Sequence, residues 1–231
     1  EWAEGQGTDI ITSSLIYKVY DEPYENNSYS YDNYDGNTAI TSIAADRCAY
    51  LGIVVCQAMG NYNQTGIPSI GSAADGDSII SVGAVTYSGD PASFTSNGPT
   101  KDGRTKPDVS APGVYVYVAV VKEIAGNDNS YEYSNGTSFS TPITAGVAAL
   151  ILSAHPELTP IQVRDALRNT ASKSGNPDNT LGWGVINAYD AVLYSGMTWS
   201  NDFEITRTGD ELTISTYLAS KDLIDPNSVK F

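Results

Sequence analysis

Residues 137–158, TSFSTPITAGVAALILSAHPEL, leave the chain few ways to fold. The run reads as a long helix, apolar nearly all round and rich in alanine and glycine, and such a helix has to be surrounded by other structure. The chain supplies flat apolar partners for it. IVVCQA (53–58) and IISVGAV (79–85) are short and fully apolar, the pattern of strands covered on both faces in a parallel sheet. TDIITSSL (8–15) reads as a third buried strand. Between TDIITSSL and IVVCQA, NTAITSIAADRCAYL (37–51) has the spacing of an amphipathic helix, with Asn37 as its cap and Gly52 as its stop. Strands that alternate with helices predict an α/β fold, with helices covering a mostly parallel sheet. No glycine-rich phosphate loop accompanies it, so a nucleotide-binding member of that class is not indicated.

The rest of the chain divides readily. Residues 17–36 form a polar loop rich in Tyr, Asn and Asp, and 86–136 reads as loops and short strands. LTPIQVRDALRNTA carries a strong helix start, with Thr159 as cap, Pro160 in the first turn and Gln162 completing a capping box. A last helix is expected in NAYDAVLYS. Beyond about Met197 the pattern changes to short alternating strands around Thr208-Gly209-Asp210, a hairpin signal. The expected division is therefore 1–196 as one unit and 197–231 as the start of a β-rich extension or second domain.

Composition narrows the function classes. In 231 residues there are 27 acidic and 12 basic side chains, a formal net charge of −15. That excludes nucleic acid and anionic membrane surfaces as expected partners, because both select a basic face. No segment reaches the roughly 20 apolar residues of a membrane span. Cys48 falls late in the predicted helix and Cys56 in the following strand, about a layer apart, so both are read as free thiols. YDNYDGN (31–37) places Asp32 and Asp35 in an oxygen-rich loop of the kind hard cations prefer, although it lacks the EF-hand spacing.

The sharpest chemical candidate is Ser138, in SNGTSFSTP. Pro142 falls in the first turn of the long helix, where proline is tolerated, and Ser138 sits at the helix's positive end. Amide N–H groups there favour a developing negative charge, which suits an acyl-transfer nucleophile. Serine at a helix start is also an ordinary cap, and the position alone leaves both readings open.

The words around it go further. NGTSFSTPITAGVAAL resembles the nucleophile motif of the subtilisin-like serine proteases, and VVCQAMGN, IISVGAV, ASFTSNGP, KPDVSAPG, HPELTPIQVRDAL and GWGVINAYDAV resemble further family segments in the family's order. The resemblance covers about residues 1–195. It implies a three-layer α/β domain and a serine endopeptidase acting on protein or peptide substrates, with Ser138 as nucleophile. It implies Asn61 as oxyanion donor supported by Thr137, and a substrate cleft along Ser14, Leu15, Ile16, Ala58, Met59 and Gly60. It also implies a secreted or cell-surface bacterial protein. No cofactor is needed for the chemistry, and the family's habits admit a structural calcium.

Two departures qualify the resemblance. Ile16 stands where the family usually has glycine beside the substrate backbone, and Ile143 stands where it often has histidine. More important, the family's Asp and His precede the serine, and their motifs are not in this chain. The single histidine, His155, lies 17 residues after Ser138 at the other end of the helix, about 25 Å away at 1.5 Å per residue. It is read as a surface turn residue and not as the base. The chain is therefore expected to be the C-terminal portion of a catalytic domain, inactive alone, whose base and orienting carboxylate lie upstream in the same polypeptide. The competing reading is a catalytically inactive relative with a binding or scaffolding role.

Overall fold

The computed structural model describes residues 2–63, 68–121, 126, 130–200, 202–223 and 225. Its centre is a four-stranded parallel sheet in the order β1 (Ile10–Ser13), β2 (Val54–Ala58), β3 (Ile80–Val85), β4 (Val109–Pro112). Ile10 lies opposite Val54, Cys56 opposite Ile80 and Val82 opposite Val109. Every residue of β2 and β3 is buried, as their unbroken apolar sequences require. Beyond β4 the chain at Val185 bridges to Ser110 in parallel.

Helix α1 (Trp2–Gly5) is a single turn before β1. Helix α2 (Ile40–Tyr50) connects β1 to β2 and packs on β2. It begins three residues later than the sequence suggests, and Asn37 is not its cap. The Asp35 carboxylate instead accepts the N–H groups of Asn37 and Thr38, closing a separate turn, and the helix starts after Ala39 with no side-chain cap.

The apolar run forms α3 (Thr137–Ala154), which packs on all four strands. α4 (Pro160–Thr170) and α5 (Ala188–Val192) complete this layer. Val54 and Cys56, Ile80 and Val82, and Val109 meet Ala148, Ile151, Val163 and Leu167 in one core. Residues at i and i+2 share a face of a strand, so Val55 and Gln57 point to the opposite face of the sheet. The result is the expected three-layer α/β architecture. The Thr159–Gln162 capping box that starts α4 is formed in both directions.

Among the described residues α3 is the one helix long and apolar enough to cross a membrane by length and composition. Here its inner faces cover the sheet. An outer stripe of Pro142, Ile143, Gly146, Ala149 and Leu150 is exposed.

The loop at 17–36 is less open than its polar composition implies. It contains two 3-10 turns (Glu25–Asn27 and Tyr31–Asn33), and Tyr34 is buried with Met59, Ile70 and Ala74 in a second core. β5 (Val116–Ala119) and β6 (Tyr131–Ser134) pair antiparallel and lead directly into α3. In the tail, β7 (Thr198–Trp199) pairs with β10 (Leu218–Ala219), and β8 (Glu204–Thr208) forms the expected hairpin with β9 (Glu211–Ser215) across Gly209-Asp210. Cys48 and Cys56 are both free.

Candidate active site

The carboxyl ends of β1 and β2 and the N-terminus of α3 converge on Ser138. Gly136 caps the helix at φ 151°, a conformation that favours glycine. Its N–H donates to the Gly113 carbonyl at 2.8 Å, which fixes the entry to the helix. A Cβ at Gly136 would lie 3.4 Å from Asn61 Nδ2. Bare backbone therefore brings Asn61 close to the first turn of α3.

Asn61 follows β2 by three residues and is held by Thr137. Its Oδ1 accepts both the N–H and the hydroxyl of Thr137, each at 3.0 Å. The Thr137 hydroxyl in turn accepts the Gly60 N–H at 3.3 Å, and Thr137 is fully buried. With Oδ1 doubly engaged, Nδ2 is the part of the amide left to meet a ligand. Ser14 Oγ donates to the Ser138 carbonyl at 3.1 Å and ties the end of β1 to the same turn. Ser138 itself is half-buried. The arrangement places a hydroxyl, an oriented amide and the Ser138 N–H of a helix start around one opening, a set able to hold developing negative charge.

That opening is a cavity of about 300 Å³. Ser14, Leu15, Ile16 and Gly60 form its sides, and Asn61, Thr137 and Ser138 its reactive end. The side chains of Ala58 and Met59, expected in the cleft, lie behind it: both are buried, and Met59 packs in the Tyr34 core. Strand alternation and the aromatic loop draw them inward.

Three further residues shape the site without a motif to announce them. Tyr62 lines the cavity, and Lys18 Nζ sits 4.7 Å from its ring centroid. Burial holds the Lys18 ammonium below its ordinary pKa. Gln57 Nε2 donates to the Leu15 carbonyl at 2.6 Å and pins the cleft strand. The position of Tyr62 next to Asn61 was the available signal, while Lys18 and Gln57 required the tertiary structure. Among the described residues the cavity lining contains no carboxylate or cation.

His155 is not the surface residue its turn sequence suggests. It is buried at the C-terminal end of α3, because α5 packs there and the Val192 carbonyl lies 3.0 Å from Nε2. It stands apart from Ser138, at the opposite end of the helix. The acidic loop is also occupied by its own contacts. Asp32 pairs with Lys101, and Asp35 is held below the ordinary carboxylate pKa, first by the Asn37 N–H and also by Thr38. Among the described residues no three His, Cys, Asp or Glu side chains gather to hold a metal.

Residues 1–184 match the family described as the subtilase family, peptidase S8. The chain belongs to that family. It is 40% identical over 157 residues to serine protease AprX of Bacillus subtilis (strain 168), covering 61% of this chain and 35% of the relative. With subtilisin E of the same organism it shares 38% identity over 193 residues, 83% of this chain and 43% of the relative. The subtilase chain thus spans less than half the length of these two curated relatives. Among solved structures, that of the prenylagaramide maturation protease PagA aligns with a TM-score of 0.62 at 25% identity, over 83% of this chain and 63% of that one. The self-cleaved protease domain of PatA aligns with a TM-score of 0.58 at 23% identity, over 84% and 65%, a likeness of fold.

Proposed function

We propose that this subtilase chain is the nucleophile-bearing part of a serine endopeptidase that cleaves peptide bonds through an acyl-enzyme on Ser138. The observation that carries the proposal is the Thr137–Asn61 lock, which leaves an amide donor beside the serine at a helix start. Ser138 Oγ attacks the substrate carbonyl and loses its proton to a base. Asn61 Nδ2 and the Ser138 N–H receive the oxyanion. The C–N bond then breaks, the amine leaves with the proton, and water hydrolyses the ester. Every group in these steps is a side chain, a backbone amide or water.

The base and its orienting carboxylate come, in this reading, from an upstream part of the same polypeptide. Two surfaces support that. The stripe of Pro142, Ile143, Gly146, Ala149 and Leu150 exposes an apolar face on an otherwise sheet-covered helix, and β1 pairs on one side only among the described residues. A segment packing there covers both and reaches the Ser138 end of α3. The acidic net charge and the likeness to Bacillus subtilisins support a secreted or cell-surface location.

Fluorophosphonate labelling of the full-length protein tests the reading. Ser138 is expected to be labelled and Ser138→Ala to be blank. A folded full-length protein that takes no label overturns the endopeptidase and supports the inactive, scaffolding alternative.

A further inference from the structure

We infer that Ile16 closes the cavity beside Ser138 toward Gly71 and restricts the residue bearing the cleaved carbonyl to small uncharged side chains, of the size of alanine or serine. The inference rests on the endopeptidase reading above and adds its substrate class. Ile16 is half-buried and lines the cavity, whereas Gly71 is buried behind it. A Cβ built on Gly71 would lie only 2.6 Å from Ile16 Cγ2. The branched side chain therefore rests directly on the Gly71 backbone and fills the space between that backbone and the opening.

Ile16 is not free to swing away. On one side Gln57 Nε2 holds the Leu15 carbonyl at 2.6 Å, and on the other the Tyr17 N–H donates to the Ser72 carbonyl at 2.8 Å. Side-chain branching at Cβ also limits χ1. The facing wall is equally fixed, because a Cβ on Gly60 would meet the Tyr62 ring at 3.0 Å, and Lys18 packs over that ring. The slot thus runs between Ile16 and Tyr62. Its volume of about 300 Å³ also covers the opening over Asn61 and Ser138. With a substrate carbonyl held at Ser138 and Asn61, the nearest side chain belongs to the residue that bears it, and that side chain enters the slot. Among the described residues no charged side chain lines the slot to offset the desolvation of a charged one.

Full-length protein and a peptide series differing only at that residue (Ala, Ser, Leu, Phe) test this through kcat/KM. Wild type is expected to favour Ala over Phe by at least about tenfold. Ile16→Gly is expected to raise the Phe:Ala ratio by at least about 10–200-fold, the range for a single methylene in a hydrophobic pocket, and Ile16→Ala by less. Melting curves confirm that both variants fold. A wild-type preference for Phe or Leu, or a ratio unmoved in folded Ile16→Gly, overturns the inference. Binding of product peptides ending in Ala or Phe to Ser138→Ala ranks the slot without chemistry. Tighter Ala with no labelling of Ser138 keeps the slot and removes the peptidase. Labelled Ser138 with tighter Phe does the reverse.

Discussion

Two polar clusters lie at opposite ends of the parallel sheet, and they are built to opposite effect. At the start of β4, Asp108 is fully buried and every part of its carboxylate is engaged. Oδ2 accepts the Ser81 N–H at 2.6 Å, the Ser81 hydroxyl at 2.7 Å and Lys106 Nζ at 2.9 Å, while Oδ1 takes Arg168. Arg168 is itself stacked 4.1 Å over Trp183. At the carboxyl ends of β1 and β2, Asn61 engages only its oxygen and Ser138 faces an opening. Polar groups closed on one another hold a fold, whereas groups left facing a cavity can act on a ligand. Ligands of open α/β sheets bind at the carboxyl ends of the strands, and the saturated cluster lies at the other end.

Removing Asp108 is the strongest way to break the first cluster. Burial pushes its carboxyl pKa up, but Lys106, Arg168 and Arg164 together pull it well below the ordinary range. Asp108→Ala leaves Lys106 buried and unpaired, at an expected cost of about 3–5 kcal/mol of stability, read from denaturant unfolding. The sign of the pH dependence follows from the depressed pKa. The contribution is fully present above the unfolded value near 4 and is lost as pH falls from there toward the lower folded value. The variant should therefore lose that part of the acid limb. A variant that unfolds like wild type would show that the closed network does not hold the sheet.

The second cluster is expected to respond chiefly in rate, with a stability loss of about 1–3 kcal/mol from the Thr137 donors left unpaired. Asn61→Ala should lower kcat of the full-length enzyme by about 10²–10³, a magnitude taken from subtilisin itself, with KM changed far less. A loss of several kcal/mol in stability without that kcat effect would make Asn61 a structural residue like Asp108, and the contrast between the two ends would fail.

These two clusters were unequally legible. Ser138, Asn61 and Thr137 stand in short motifs that resemble the family's, and it was that resemblance, not local chemistry, that joined Asn61 to the distant serine. The parallel sheet was readable directly, since IVVCQA and IISVGAV have no polar face to turn outward. Asp108 was visible only as part of a family segment, because its partners Ser81, Lys106 and Arg168 are spread along the chain and meet only in the fold. The same limit hid Lys18 and Gln57, and it misplaced His155, whose burial depends on α5. Asn37 failed for a local reason: Asp35 is the better acceptor for that turn, and it took the N–H groups first.

Thr137 sharpens the contrast at smaller scale, because it is buried like the first cluster but serves the second. Thr137→Val keeps the N–H bond to Asn61 and deletes the hydroxyl link to Asn61 and Gly60. Each hydrogen bond contributes about 0.5–1.5 kcal/mol, so loss of the one to Asn61 is expected to lower kcat up to about tenfold, and loss of both to lower stability by about 1–3 kcal/mol. A rise in KM larger than the fall in kcat would place Thr137 in substrate binding and not in orienting the amide.

The smallest effect is expected where neither cluster is touched. Thr159 caps α4 through a reciprocal bond pair with Gln162, on the surface and far along the chain from Ser138. Thr159→Ala should cost about 1 kcal/mol, the usual contribution of such a cap, measured by denaturant unfolding. Labelling of Ser138 should be unchanged in rate, because α4 joins the core through Val163 and Leu167 and not through the turn that carries the serine. If labelling slowed in step with stability across Thr159→Ala and Asp108→Ala, the open cluster would be governed by the rigidity of the whole domain. If it slowed only on changes at Asn61 and Thr137, the reactivity of Ser138 would reside in the few hydrogen bonds around it.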